Sequence, residues 1–317
     1  AEDGSRYGTQ KVLVKITTGT YKGKEKQAIN PSGTLFGADC KVGARIIVIV
    51  NKSGTNAGFT VYSQDRTMAI YGFALIFAAV VCAIGGKKGV YAILSLVFAF
   101  ACIIGIMFPM MYRGISPIVL TIIVAVLTTI VTLGLLGGYS SKTVSAILGT
   151  AIGVVIAAVA AMTFGKAAGI TGYNVSDIEA LNYVGQNTKI KIGELLFAGI
   201  IISALGAVMD VGMSIASTIQ EIYETDKTLS MKRLFVSGIN VGRDMMGTMT
   251  NTLIFAYVGG AMTTLVINYA YDLSYRQLAN SYVIGIEIMQ GLSGSLGVVL
   301  TVPITALIAS FLAVRKK

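Results

Sequence analysis

Asp210, Ser214, Ser217 and Glu221 stand at i, i+4, i+7 and i+11 in one long stretch of chain. On a helix that spacing lines them along a single face. Further on, Asp244, Thr248 and Asn251 repeat the i, i+4, i+7 step, with Arg243 beside the first of them. Facing each other, the two stripes would make a polar lane of carboxylates, hydroxyls and an amide. Arg243 is the natural counter-charge for Asp210 or Asp244. Two carboxylates and one guanidinium leave a formal charge of −1, enough to hold a cation or a proton. Arg243 and Asp244 also fit the start of a helix at an interface, where an Arg snorkels and an Asp caps. Glu287 is a further candidate, at a depth set by how the last apolar run is arranged. Glu194 and Glu221 are expected at the two ends of a helix.

Other chemistries are poorly served. The chain has no His, which removes imidazole bases, His-ligated metals and Ser-His-Asp triads together. Cys40, Cys82 and Cys102 lack metal-like spacing, and free thiols are expected. The Gly-x-Gly-Asp pattern of intramembrane aspartyl proteases is missing at both Asp210 and Asp244. The Met-bearing stretch Gly105–Pro117 reads as a bend; a soft-metal site there would lack His or paired Cys support. No enzymatic activity, cofactor or metal is expected.

The elements that must carry these residues are apolar. Of 317 residues, 54% are hydrophobic and 13% charged, against about 25% charged in a soluble domain. The apolar residues come in blocks, so the expected fold is an α-helical integral membrane protein. Charged groups inside such blocks are expensive and are functional candidates by default. The runs are Thr67–Gly85, Val90–Phe108, Ile118–Leu136, Thr143–Phe164, one starting at Glu194, one over Met245–Ile267, and a last one ending at Val314. In that last run, Arg276–Gln290 is read as interfacial or re-entrant and Gly294–Val314 as spanning, with a single long tilted helix as the alternative. Each is compared with the ~20 residues a spanning helix needs, giving about seven spans over 66–317. A polar connection with short helical pieces is expected over Lys166–Ile192.

The net charge of +10 is scattered, without the basic stripe that nucleic acid requires. It serves topology instead. With residues 1–65 outside, Lys87–Lys88, Lys142, Lys227, Lys232, Arg233 and Arg315–Lys317 all fall inside. The 37 glycines include pairs four apart at Gly134/Gly138, Gly149/Gly153, Gly165/Gly169 and Gly238/Gly242, which suit close helix packing.

Residues 1–65 are a different material. Lys11–Thr17, Lys24–Asn30, Ala44–Val50 and Gly58–Ser63 read as strands between Gly-rich turns. They predict a small extracytoplasmic all-β domain, a barrel or sandwich, acting as a cap or as a binding module. A start at Ala1 suggests that an upstream signal or anchor segment was removed.

Three segments carry a family resemblance: Gly206-Ala-Val-Met-Asp210-Val-Gly-Met-Ser-Ile-Ala-Ser217, Leu229-Ser-Met-Lys-Arg-Leu-Phe235, and Gly238-Ile-Asn-Val-Gly-Arg243-Asp244-Met-Met-Gly247-Thr-Met-Thr-Asn251. They resemble the YibE/YibF-like family of bacterial membrane proteins. The likeness extends to Lys41-Val-Gly43, to Glu287 and to Gly294–Thr305. The resemblance implies a multi-pass protein of the bacterial cytoplasmic membrane with an amino-terminal β-domain, described as a transporter or permease. Asp210, Arg243, Asp244, Asn251 and Glu287 match its shared pattern, without roles attached. Transport is therefore the expected function, with an envelope scaffold as the alternative and lipid handling as a third. The expected partners are the bilayer, a solute or ion, and an outside protein or a second copy.

Overall fold

The computed structural model describes residues 8–32, 37–53, 56–175 and 177–315. The chain divides into two compact units, Ala1–Ala83 and Ile84–Lys317.

The first unit holds four strands: β1 (Gly8–Lys15), β2 (Glu25–Ser32), β3 (Ile46–Ser53) and β4 (Asn56–Gln64). All four expected strands are present, as one sheet in the order β1-β2-β4-β3. β1–β2 and β3–β4 are antiparallel hairpins, and a parallel pairing of Ile29 with Thr60 joins them. Of the turns expected at Asn30–Gly33 and Asn51–Gly54, the first three residues of each are strand, because β2 and β3 run on through Ser32 and Ser53; Gly33 and Gly54 lie outside the described residues. One face buries Ala28, Phe59 and Val61 with Val12, Val14, Val48 and Tyr21 packed on them. Within it Asn30 is fully buried and satisfied: its amide donates to the Gln10 side chain and the Ala38 carbonyl, and its oxygen accepts from Ala38 N–H. The other face leaves Leu13, Ile29, Ile47, Ile49 and Tyr62 exposed.

α1 (Thr67–Cys102) leads from the first unit into the second. Its backbone breaks at Gly86 (φ 53°, ψ −132°), a left-handed conformation that favours glycine. This break falls between the two runs expected over Thr67–Gly85 and Val90–Phe108. A π-helical turn (Ile103–Met107) and α2 (Phe108–Tyr112) follow. Met107 and Met111 are buried with Leu120, Val124 and Ala198, so the Met-bearing bend is packed core.

α3 (Pro117–Gly137) opens with Ser116 as N-cap and Pro117 at its first turn. α4 (Ser141–Ala167) is capped by Ser140. The polar connection contains α5 (Ile178–Asn187) and a 3-10 turn (Ile192–Glu194), as expected. α6 (Leu195–Thr225) and α7 (Met231–Gly260) form the next pair, and α8 (Met262–Ala270) is bent 59° from α7. The short α9 (Tyr275–Ala279) precedes α10 (Tyr282–Arg315), which runs unbroken through Gly291–Gly297. The re-entrant division of this last run does not occur; the single long helix does, because its glycines are buried between neighbouring helices.

α10 is the central element, packed against α4, α6 and α7. Gly149 and Gly153 of α4 lie directly against Thr305 and Thr301 of α10, and an added Cβ at Gly297 would come 2.9 Å from the Gly153 carbonyl. Gly238 and Gly242 seat α7 against Ala306, Val302, Ile215 and Ile219. These two small-residue pairs are helix interfaces. Gly134/Gly138 is not: Gly134 meets Tyr139, just past the end of its own helix, and Gly138 terminates α3 with φ 65°.

Among the described residues, five helical stretches are long and apolar enough to cross a membrane. They are Thr67–Tyr112, Pro117–Gly137, Ser141–Ala167, Ile192–Thr225 and Tyr282–Arg315, and the bent α7–α8 pair is a sixth candidate.

Candidate functional site

Asp210 is the central residue of α6, with Leu195–Met209 before it and Val211–Thr225 after it. The opposite side of α6 is packed through Val208, Val211, Gly212, Ile215 and Ile219. Asp210 and Glu221 are exposed and Ser214 and Ser217 half-buried, so the i, i+4, i+7, i+11 stripe lies on the open side of the helix. Thr218 and Thr225 return their hydroxyls to the Ser214 and Glu221 carbonyls one turn back.

Arg243 and Asp244 are not at a helix start. α7 begins at Met231, and the N-cap is Ser230, whose hydroxyl accepts from Arg233 N–H at 3.5 Å. Twelve residues, or about 18 Å of helix, separate that cap from Arg243. The capping reading of Asp244 is therefore overturned: its neighbours N–H are already bonded within the helix. α7 packs through Leu234, Gly238, Gly242 and Leu253. Asn240, Arg243, Asp244, Gly247, Thr248 and Asn251 are exposed on the other side.

The two stripes do not interlock within one chain. Among the described residues the ion pairs are Lys41–Asp39 and Lys191–Glu194, so Arg243 pairs with neither Asp210 nor Asp244. A side-chain hydrogen bond joins α6 to α7 between Ser203 and Tyr257, at 2.6 Å. Glu287, half-buried in the second turn of α10, lies beside Tyr257 in an otherwise apolar pocket of about 240 Å³ with Ile254, Val258, Leu265 and Ile288. It is thus separate from the stripe of α7. Glu194 behaves as expected of an end marker: it is the N-cap of α6 and accepts from the Ser116 hydroxyl.

A buried hydroxyl seam lies where spacing alone marks no site. Thr143, Ser145 and Thr150 on α4, with Thr301, Thr305 and Ser310 on α10, are all buried. Thr301 donates to the Gly297 carbonyl at 2.7 Å, and Ser145 to that of Ser141 at 2.8 Å. The signal was present as Ser or Thr placed among glycines on facing helices, but only the facing reveals it. No group of three or more Asp, Glu, Cys or His suited to a metal occurs among the described residues.

Long apolar helices joined by small-residue contacts, with charged groups midway along two of them, define a helical membrane protein. The model of the YibE/F-like protein family matches residues 73–315, and the chain belongs to that family. The match leaves out the sheet, so the likeness expected at Lys41-Val-Gly43 falls outside it. No curated protein and no solved structure matches the chain.

Proposed function

We propose that the protein is a transporter or permease whose path passes Asp210 and the polar side of α7, coupled to a proton or a cation. One observation carries this: Asp210, Arg243 and Asp244 sit midway along two long helices, exposed and without ion-pair partners among the described residues. Placing an ionised side chain at a bilayer centre costs at least about 2.5–3.5 kcal/mol. A membrane chain that retains three such groups without pairing them has a use for them. Ser214, Ser217, Thr248 and Asn251 extend the path, and Glu287 lies apart from it.

We count Thr67–Tyr112 as two crossings. Its 46 residues measure about 69 Å as helix, twice the ~30 Å hydrocarbon layer. With the bent α7–α8 pair this makes seven crossings of a bacterial cytoplasmic membrane. The basic clusters put the sheet outside and the carboxyl end inside. No enzymatic step is assigned.

The test is ion flux in liposomes carrying the purified protein, followed with a pH-sensitive dye and tracer sodium under an imposed potential. Flux lost in Asp210→Asn, with the variant still inserted and folded, supports the path. Equal flux in the native protein, Asp210→Asn and Asp244→Asn would remove it. A second reading, an envelope scaffold, is favoured by the exposed apolar sheet face of Leu13, Ile29, Ile47, Ile49 and Tyr62. It requires that Ile29→Asp with Ile49→Asp release a co-purifying protein while flux is untouched.

A further inference from the structure

The open side of α7 presents Asn240, Arg243, Asp244, Gly247 and Asn251, all exposed. Successive residues on a helix diverge by about 100°, so Arg243 and Asp244 point to either side of a line down the exposed face and cannot satisfy each other. Gly247 falls between them, one turn on, with nothing within 4 Å of an added Cβ. Asn240 and Asn251 lie on the same line, one turn before and two turns after. The outward face is therefore a glycine flanked by one positive and one negative group, with amides above and below.

We infer that two copies of the chain pack α7 against α7 about a two-fold axis along the membrane normal. This rests on our reading of the mid-helix charges as lying within the bilayer. Copies inserted the same way hold equivalent residues at the same depth. A two-fold axis through Gly247 then sets Arg243 of one copy opposite Asp244 of the other, twice over. A two-fold contact is self-complementary by construction, residue i meeting j and j meeting i. Adjacent opposite charges beside a central glycine meet that condition without any further group. The glycine lets the backbones approach as small residues do in membrane interfaces, and the asparagines can bond across the axis. The second copy then supplies the counter-charges that Arg243 and Asp244 lack within one chain, and Asp210 on α6 is left as the unpaired group of the lane.

Two measurements test this without reference to flux. In native membranes, with Cys40, Cys82 and Cys102 replaced by Ala, Gly247→Cys should oxidise to a species of twice the monomer mass. Leu296→Cys, on the exposed side of α10, should stay monomeric. In the second, differently tagged chains are co-expressed. Arg243→Asp carries two acidic groups and Asp244→Arg two basic ones, so each should lose self-capture at least tenfold, while the mixed pair is captured at the native level. No cross-link at Gly247 overturns the interface, and so does self-capture of either variant at the native level. Cross-linking of Leu296→Cys equal to that of Gly247→Cys would show random collision and overturn it as well. An intact pair with no ion flux would instead count against the transport reading alone.

Discussion

The α4–α10 seam and the open side of α7 are both polar stretches of long helices, yet they are handled in opposite ways. The seam buries six hydroxyls, two of them, Thr305 and Thr301, set directly against Gly149 and Gly153. The face of α7 leaves an Arg, an Asp and two Asn exposed. Thr301 and Ser145 return their protons to carbonyls one turn back, while Thr150, Thr305 and Ser310 are buried without a hydrogen-bond partner among the described residues, a cost well below that of a buried charge. A guanidinium or carboxylate has no such local solution and must find water, an ion or another chain. The difference separates groups that build the bundle from groups that leave it something to do.

The sharpest test of the seam is Gly153→Leu. A side chain there meets Val208 at 2.8 Å and the Gly297 carbonyl at 3.2 Å from its first atom, and overlaps Thr301. The loss should reach or exceed about 3 kcal/mol, the upper end of ordinary overpacking. It would be read as a lower unfolding midpoint in detergent or as failure to accumulate. If Gly153→Leu were as stable as the native chain, the seam would not be the structural half of the comparison. Asp210→Leu should do the reverse, leaving stability unchanged or raising it by up to about 2.5–3.5 kcal/mol, because it removes a group whose charge is costly at the bilayer centre. A large destabilisation would make Asp210 a structural group.

The smallest effect belongs to Asp226, in the connection between α6 and α7. Hydrogen bonds from the Thr228 side chain and backbone hold its carboxyl below the usual carboxylate range. A depressed folded value means the contribution is present above the ordinary carboxylate range and is lost as pH falls through the folded value. Asp226→Asn should therefore lower the neutral plateau slightly and leave stability in acid, where Asp226 is protonated, unchanged, so that the acid limb flattens. Variant and native curves that superimpose would show that those bonds contribute nothing measurable.

Much of this was legible locally. Alternation placed all four strands, and apolar length placed the long helices. Ser116, Ser140 and Ser230 begin helices because their hydroxyls accept from backbone N–H groups within the first turn. The start of α7 was misplaced because Lys232 and Arg233 occupy its first turn, and a charged first turn resembles a connection when only hydropathy is weighed. The last run was divided at its glycines for a related reason. Glycine alone does not say whether it breaks a helix or lets another helix approach.

The sequence by itself determined which residues share a helix face, that the chain is apolar enough for a membrane, and its family. Those follow from spacing and composition, which every residue carries with it. Only the tertiary structure decided which face of α7 is packed. That choice depends on Val302, Ala306, Ile215 and Ile219, which meet Gly238 and Gly242 from other helices. Once the glycine side is packed, the charged side must face outward, and Arg243 is left without the counter-charge that spacing alone suggested.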